Sequence, residues 1–219
     1  MVYNKIILLF LIIYVTNLSA FNIDDFVDKN KCDQIIDKQV FKICYSYEHK
    51  GALAVWYDLD AKLVDHVNIK KRFSFYNEKT IPMKYRTKKK DYTRSGFDRG
   101  HLANDASFDY DKKVLRKTYT MANIIPQAPK VNRYTWIKAE RYERQMASKL
   151  GTVTVINLVN YQKPLNTIKN SISIPTSFTK VLYNNEANFS RCLKYENIKD
   201  IEVKKDKLKQ HNINCLNLL

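Results

Sequence analysis

Glycine is scarce in this 219-residue chain: only Gly51, Gly96, Gly100 and Gly151 occur. Two of the four fall inside Ser95–Leu102, which concentrates backbone freedom there and points to an unusual local conformation or a close approach. The chain has no internal repeat, low-complexity tract or Pro-rich linker, which argues against a second domain. No C-x-x-C pair occurs, so the usual zinc-site spacing is excluded. Only Ile6–Val15 is a long apolar run, and it is short for a membrane span. With Lys5 before it and Leu18-Ser19-Ala20 after it, residues 1–20 read as a cleavable signal peptide, an uncleaved anchor being the alternative. Residues 21–219 then form one exported domain, secreted or periplasmic, with no stable membrane association after signal cleavage.

Acidic residues are also in deficit. Lys and Arg total 38 against 22 Asp and Glu, a formal charge of +16. Such an excess favours a polyanionic partner: nucleic acid, heparin-like glycan, cell wall or acidic membrane. The basic runs Lys70-Lys71-Arg72, Lys84–Lys90 and Lys204-Lys205 could follow a phosphate backbone, although any one run serves equally as a solvated face. The four cysteines, Cys32, Cys44, Cys192 and Cys215, imply two disulfides in an exported protein. Sequence alone allows three connectivities; the local pairs Cys32–Cys44 and Cys192–Cys215 are favoured.

Alternating apolar and polar residues predict strands over 41–47 and 52–59, with a shorter one over 64–69. Residues 84–94 read as a loop, 109–117 as polar with a helical turn, and 119–124 as a strand. A helix is expected from Asn132 to Leu150, ending near Gly151. Strands follow over 152–159 and 180–183, then a short basic helix over 198–210.

Two segments carry chemistry. Asp98-Arg99-Gly100-His101 places a cation and a titratable base within one turn. Hydrolysis of a phosphodiester needs such groups, to deprotonate water and to meet negative charge. By itself the tetrapeptide could equally be a tight turn with a surface ion pair. In the second segment, Asn132, Trp136, Glu140 and Arg144 recur every four residues, which predicts one helical face bearing an amide, an indole, a carboxylate and a guanidinium.

In this order, the blocks resemble the ββα-metal (His-Me finger) DNA/RNA non-specific endonucleases. Ser95–Leu102 is similar to the family's S-G-x-D-R-G-H-L block, Asn123–Gln127 to N-x-x-P-Q, and Asn132–Arg144 to N-x3-W-x3-E-x3-R. Ile174–Lys180 echoes a further I-P-x-x-[FY]-x-K stretch. The resemblance implies an α+β fold, a central antiparallel sheet flanked by helices with the ββα finger on one face. It also implies cleavage of DNA and RNA with little sequence preference, leaving 5′-phosphate and 3′-hydroxyl ends.

Carried onto this chain, the family pattern makes His101 the general base and Asn132 the direct metal ligand. Glu140 holds metal-bound water, Arg144 meets a phosphate, Asn123 hydrogen-bonds near His101 and the metal, and Arg99 adds positive charge. Asp98 orients its neighbours. The expected ion is Mg²⁺, with Mn²⁺ a second choice, because one amide oxygen leaves room for waters and phosphate. One departure stands out: relatives often carry a phosphate-binding arginine where this chain has Tyr76, and Arg72, Lys79 and Arg86 are the nearby substitutes. The competing class is a non-catalytic polyanion binder on the same scaffold. Oligomeric state stays open, a homodimer included.

Overall fold

A computed structural model describes residues 20–219, so the proposed signal segment, Ala20 apart, lies outside the described residues. In chain order the main elements are α1 (Ile23–Phe26), β1 (Gln34–Asp37), β2 (Lys42–Ser46), β3 (Gly51–Asp60), β4 (Asp98–His101), α2 (Lys112–Thr118), β5 (Ile124–Gln127), α3 (Ile137–Leu150) and β6 (Thr152–Asn160). There follow the short β7 (Thr167–Ile168) and β8 (Ile172–Ser173), then β9 (Ser177–Asn184), β10 (Phe189–Glu196) and β11 (Asn212–Ile213). Seven strands form one antiparallel sheet in the order β1-β2-β3-β6-β9-β10-β11. β4 and β5 form a separate antiparallel ribbon, with His101 opposite Ile124 and Asp98 opposite Gln127.

The period-2 pattern of the central strands decides the layering. On one face Ala54, Trp56, Ile156, Val181 and Tyr183 pack with Phe26, Val27 and three of the four half-cystines. On the other face Val55, Tyr57, Leu59, Val155, Phe178 and Leu182 meet Trp136, Ala139 and Ala147. β4, β5 and α3 therefore make the ββα unit, laid over the middle of the sheet. The disulfides are Cys32–Cys44 and Cys192–Cys215, with Cα separations of 5.1 and 5.3 Å. Each links sequence-local segments on the face away from α3.

Several expectations need correction. Residues 64–69 are turns and irregular chain, not a strand. The second finger strand starts at Ile124, later than expected, because Met121–Asn123 forms a 3₁₀ turn capped by the Thr120 hydroxyl. The basic helix over 198–210 is replaced by two short 3₁₀ turns, Val203–Lys205 and Leu208–His211. The long helix begins as a π-helix, Val131–Trp136, before becoming α3. It ends at Gly151, whose φ of 86° suits glycine.

Candidate active site

Gly100 explains why glycine gathers in this block. A Cβ there would lie 1.9 Å from Oε1 and 2.5 Å from Cγ of Gln127, a fully buried side chain on the paired strand. The requirement at Gly100 is close approach; the left-handed backbone is supplied by Gly96, with φ of 78°. The ribbon can therefore pack tightly while Arg99 and His101, two residues apart, share its other side.

His101 sits among aromatic rings. Phe75 lies 5.4 Å from its ring centroid, and Tyr119 meets it edge-on at 5.1 Å. Nε2 is buried with no hydrogen-bond partner among the described residues. Burial lowers the imidazole pKa below its usual value; Asp105 opposes this and Arg72 adds to it. The ring is consequently neutral at neutral pH, as a general base must be. Arg99 lies 5.9 Å from the same Phe75 ring and donates to the Lys89 carbonyl at 3.0 Å.

The chain beyond His101 is clamped by Asn123. Its Oδ1 accepts from the Ala103 N–H at 2.8 Å, and its Nδ2 donates to the Ala103 and Thr118 carbonyls, both at 2.9 Å. The side chain is fully buried, and both ends of the amide are engaged by backbone around the histidine.

Asp98 fastens the helix to the ribbon. It accepts from Asn132 Nδ2 at 3.0 Å and from Arg133 Nε and Nη2, both at 2.7 Å. A carboxylate only accepts, so it fixes which end of the Asn132 amide faces it and leaves Oδ1 turned elsewhere. Burial raises the Asp98 pKa, but the Arg133 and Asn132 hydrogen bonds outweigh it and hold the carboxyl below its usual range. Farther along, Arg144 donates to Asn104 Oδ1 at 3.2 Å and to the Glu140 carbonyl at 3.0 Å. Residue 98 thus lies beside residue 132, and residue 104 beside residue 144. The segment that carries His101 is therefore fastened to the helix at both of its ends.

The expected four-residue stripe is only partly realised. Trp136 turns into the core, fully buried, with Phe178 and Tyr195 edge-on at 4.8 and 5.3 Å. The π-helix accounts for this, because its wider turn breaks the regular i, i+4 stacking between Asn132 and Trp136. Asn132, Glu140 and Arg144 remain half-buried, Asn132 against Asp98 and Arg144 against Asn104.

Sequence patterning missed the polar cluster beneath. Glu143 and Lys180 form an ion pair in which both side chains are fully buried. Glu143 also accepts from the Tyr57 hydroxyl at 3.0 Å, the Ser107 hydroxyl at 2.8 Å and the Asn104 amide. Lys180 donates to Asn157 Oδ1 at 2.8 Å, and Asn157 Nδ2 donates to the Leu102 carbonyl at 2.9 Å. Residues on both sides of the site, Leu102 and Asn104, are thereby tied to one buried cluster. The only sequence signal was Lys180 at the end of the Ile174–Lys180 echo.

Of the three substitutes for the missing arginine, Arg72 is paired with Asp105 at 3.3 Å and Asp109 at 3.2 Å. Arg86 is spent on the Ile81 and Lys79 carbonyls. Lys79 is exposed and makes no ion pair among the described residues. Two of the other three histidines are engaged away from His101: His49 stacks on Tyr161, and His211 stacks on Tyr195 and contacts Asp206 at 2.7 Å.

The family profile described as DNA/RNA non-specific endonuclease matches residues 22–217, nearly all of the described chain. The chain belongs to this family. It is 28% identical to human mitochondrial endonuclease G over 160 residues, 68% of this chain and 54% of that protein. It is 30% identical to a nuclease of Nostoc sp. over 142 residues, 63% of this chain and 50% of that one. The chain thus spans about half the length of these relatives. The fold matches that in the crystal structure of an EndoG/EndoGI complex, with a TM-score of 0.75 and 19% identity over 84% of this chain and 81% of that one.

Glu140 supports a pH prediction. Burial pushes its pKa up from 4.5 to about 8; Lys180 opposes the rise and Glu143 adds to it. Between those values the folded chain keeps a proton that the unfolded chain has released. Stability from this group therefore falls as pH rises through the window, by at most about 1.4 kcal/mol per pH unit. His101, with its pKa lowered, acts in the opposite sense and only below about 6.5. In chelator, the wild type is expected to lose stability relative to Glu140→Gln between pH 5 and pH 8. Urea unfolding of both proteins checks this, and a constant difference across the window contradicts it.

Proposed function

We propose that this protein is an exported, divalent-metal-dependent endonuclease that hydrolyses phosphodiester bonds in DNA and RNA with little sequence preference, leaving 5′-phosphate ends. The observation that carries the reading is the pairing of Asp98 with Asn132. It joins the ribbon bearing His101 to the helix bearing Glu140 and leaves one amide oxygen uncommitted. Among the described residues no three of His, Cys, Asp and Glu converge on a metal site. A single amide oxygen with a carboxylate behind it suits an ion that keeps most of its waters, such as Mg²⁺ or Mn²⁺.

Asn132 Oδ1 would hold the ion directly, and Glu140 would accept hydrogen bonds from its waters. When bound, the ion supplies charge stabilisation to the phosphoryl oxygens and the leaving 3′ oxygen. With Nε2 of His101 enclosed, Nδ1 is the nitrogen left to take a proton from the attacking water. Phe75 and Tyr119 hold the ring and keep it neutral. Arg99 and Arg144 supply positive charge on either side. The two disulfides support export, since such bonds persist in oxidising compartments. A non-catalytic binder needs cations alone and gives no reason for the buried seat of His101.

The test is incubation of purified protein with supercoiled plasmid and with RNA. Cleavage of both is expected with Mg²⁺ or Mn²⁺, and none after chelation by EDTA. Undiminished cleavage in exhaustively demetallated protein, checked by elemental analysis, would rule out the metal-dependent reading.

A further inference from the structure

Near the site, Arg116 is built into the surface. Arg116, in the last turn of α2, is exposed and makes no ion pair among the described residues. It is nonetheless held in place. Its guanidinium lies 4.8 Å from the Tyr76 ring and 5.6 Å from the Phe73 ring, and Nη1 donates to the Ser74 carbonyl at 2.7 Å. The segment beneath is stitched down in turn: Tyr76 N–H donates to the Tyr119 carbonyl at 3.0 Å, and Met121 N–H donates to the Tyr76 carbonyl at 2.8 Å.

The neighbouring charges leave Arg116 and Lys79 as the cations available to a ligand beside Tyr76. Arg72 is neutralised by Asp105 and Asp109, Arg86 is committed to carbonyls, and Lys38 pairs with Glu78 at 2.9 Å. Arg116 and the exposed Lys79 line a shallow groove with Tyr76, Asn77 and Glu78. Because Lys38 offsets Glu78, the groove is net positive. It adjoins the catalytic centre: Tyr76 follows Phe75, whose ring touches that of His101. Successive side chains along an extended segment point to opposite sides, so Phe75 serves the histidine and Tyr76 faces the adjoining groove.

We propose that Arg116, seated on Tyr76 and Phe73, is a binding subsite for a backbone phosphate of the substrate strand next to the scissile one. A guanidinium already fixed by two rings and a carbonyl loses little freedom on meeting a phosphate, and it offers a planar fork of donors. The inference deepens the nuclease reading and rests on it.

The salt dependence of binding tests the proposal. The full protein in a His101→Ala background, which prevents cleavage, is titrated with a fluorescent DNA duplex from 50 to 300 mM NaCl. Each phosphate contact contributes about −0.9 to the slope of log K against log salt. Arg116→Gln is expected to weaken binding about three- to tenfold at low salt and to make the slope shallower by about one, whereas Arg116→Lys keeps the slope. Lys31→Gln, an exposed lysine on the opposite face of the sheet, should change neither. An unchanged slope in Arg116→Gln overturns the subsite, as does an equal change in Lys31→Gln. So does an effect seen with heparin and absent with DNA. If wild-type protein binds DNA but cuts neither DNA nor RNA with Mg²⁺ or Mn²⁺, the nuclease reading fails, while the slope still judges the phosphate contact.

Discussion

Replacing His101 with alanine is expected to lower plasmid cleavage by about 10²–10⁴-fold, the usual contribution of a general base. Affinity for uncleaved DNA should scarcely change, because a neutral imidazole adds no charge to backbone-dominated binding. The geometry makes the prediction specific. His101 is held by Phe75 and Tyr119, its Nε2 finds no hydrogen-bond partner among the described residues, and burial depresses its pKa. Its removal leaves Asp98–Asn132 and the buried cluster in place, so the fold should persist. Arg144→Ala should differ, lowering both rate and affinity through loss of a cation. Thermal unfolding must accompany each rate, since a collapsed variant imitates an inactive one. A folded His101→Ala protein that nicks plasmid at the wild-type rate would remove this histidine from the mechanism.

The largest effect on stability is expected at Lys180. Lys180→Met leaves Glu143 buried without its cation, and breaking such a pair costs about 3–5 kcal/mol. Glu143 retains donors from Tyr57, Ser107 and Asn104, but none of them carries charge. The double variant Glu143→Leu/Lys180→Met removes both charges and should recover part of the loss, because an apolar pair carries no desolvation penalty. It should not recover cleavage, since Asn104 and Asn157 lose the partners that hold the chain on either side of His101. Urea denaturation gives the stabilities and plasmid nicking the rates. A single variant within about 1 kcal/mol of wild type, or a double variant no better than the single one, would show that the pair does not anchor the site.

Much of the candidate site was legible because its residues are close in sequence. Gly96 and Gly100 flagged a place where the backbone needs unusual freedom, and the structure supplies both reasons, a positive φ at Gly96 and a buried Gln127 against Gly100. Strands β2, β3 and β6 were legible from alternation, since each buries residues against a layer. Neither β10 nor β1 was foreseen. Both are mixed in polarity, with exposed and half-buried positions interrupting the alternation, so periodicity alone does not mark them; each is fixed by pairing along an adjacent strand. The helix was read correctly in extent but wrongly in phase. A π-turn depends on how Asn132 is pulled towards Asp98 and Trp136 towards the core, and local propensity reports neither.

The sequence by itself determined the cationic character, the two-disulfide framework of four cysteines, and the ordered blocks that place this chain in its family. These are properties of composition and short-range spacing, which need no fold to be expressed. Only the tertiary structure decided that Asp98 orients Asn132, that Asn123 clamps the chain behind His101, and that Arg72 is neutralised while Arg116 is not. It alone placed a lysine and a glutamate together in the core beneath the site. Each outcome depends on which distant side chains meet at a few ångströms in a low-dielectric setting, where the partner decides whether a charge is neutralised, buried or left for a ligand.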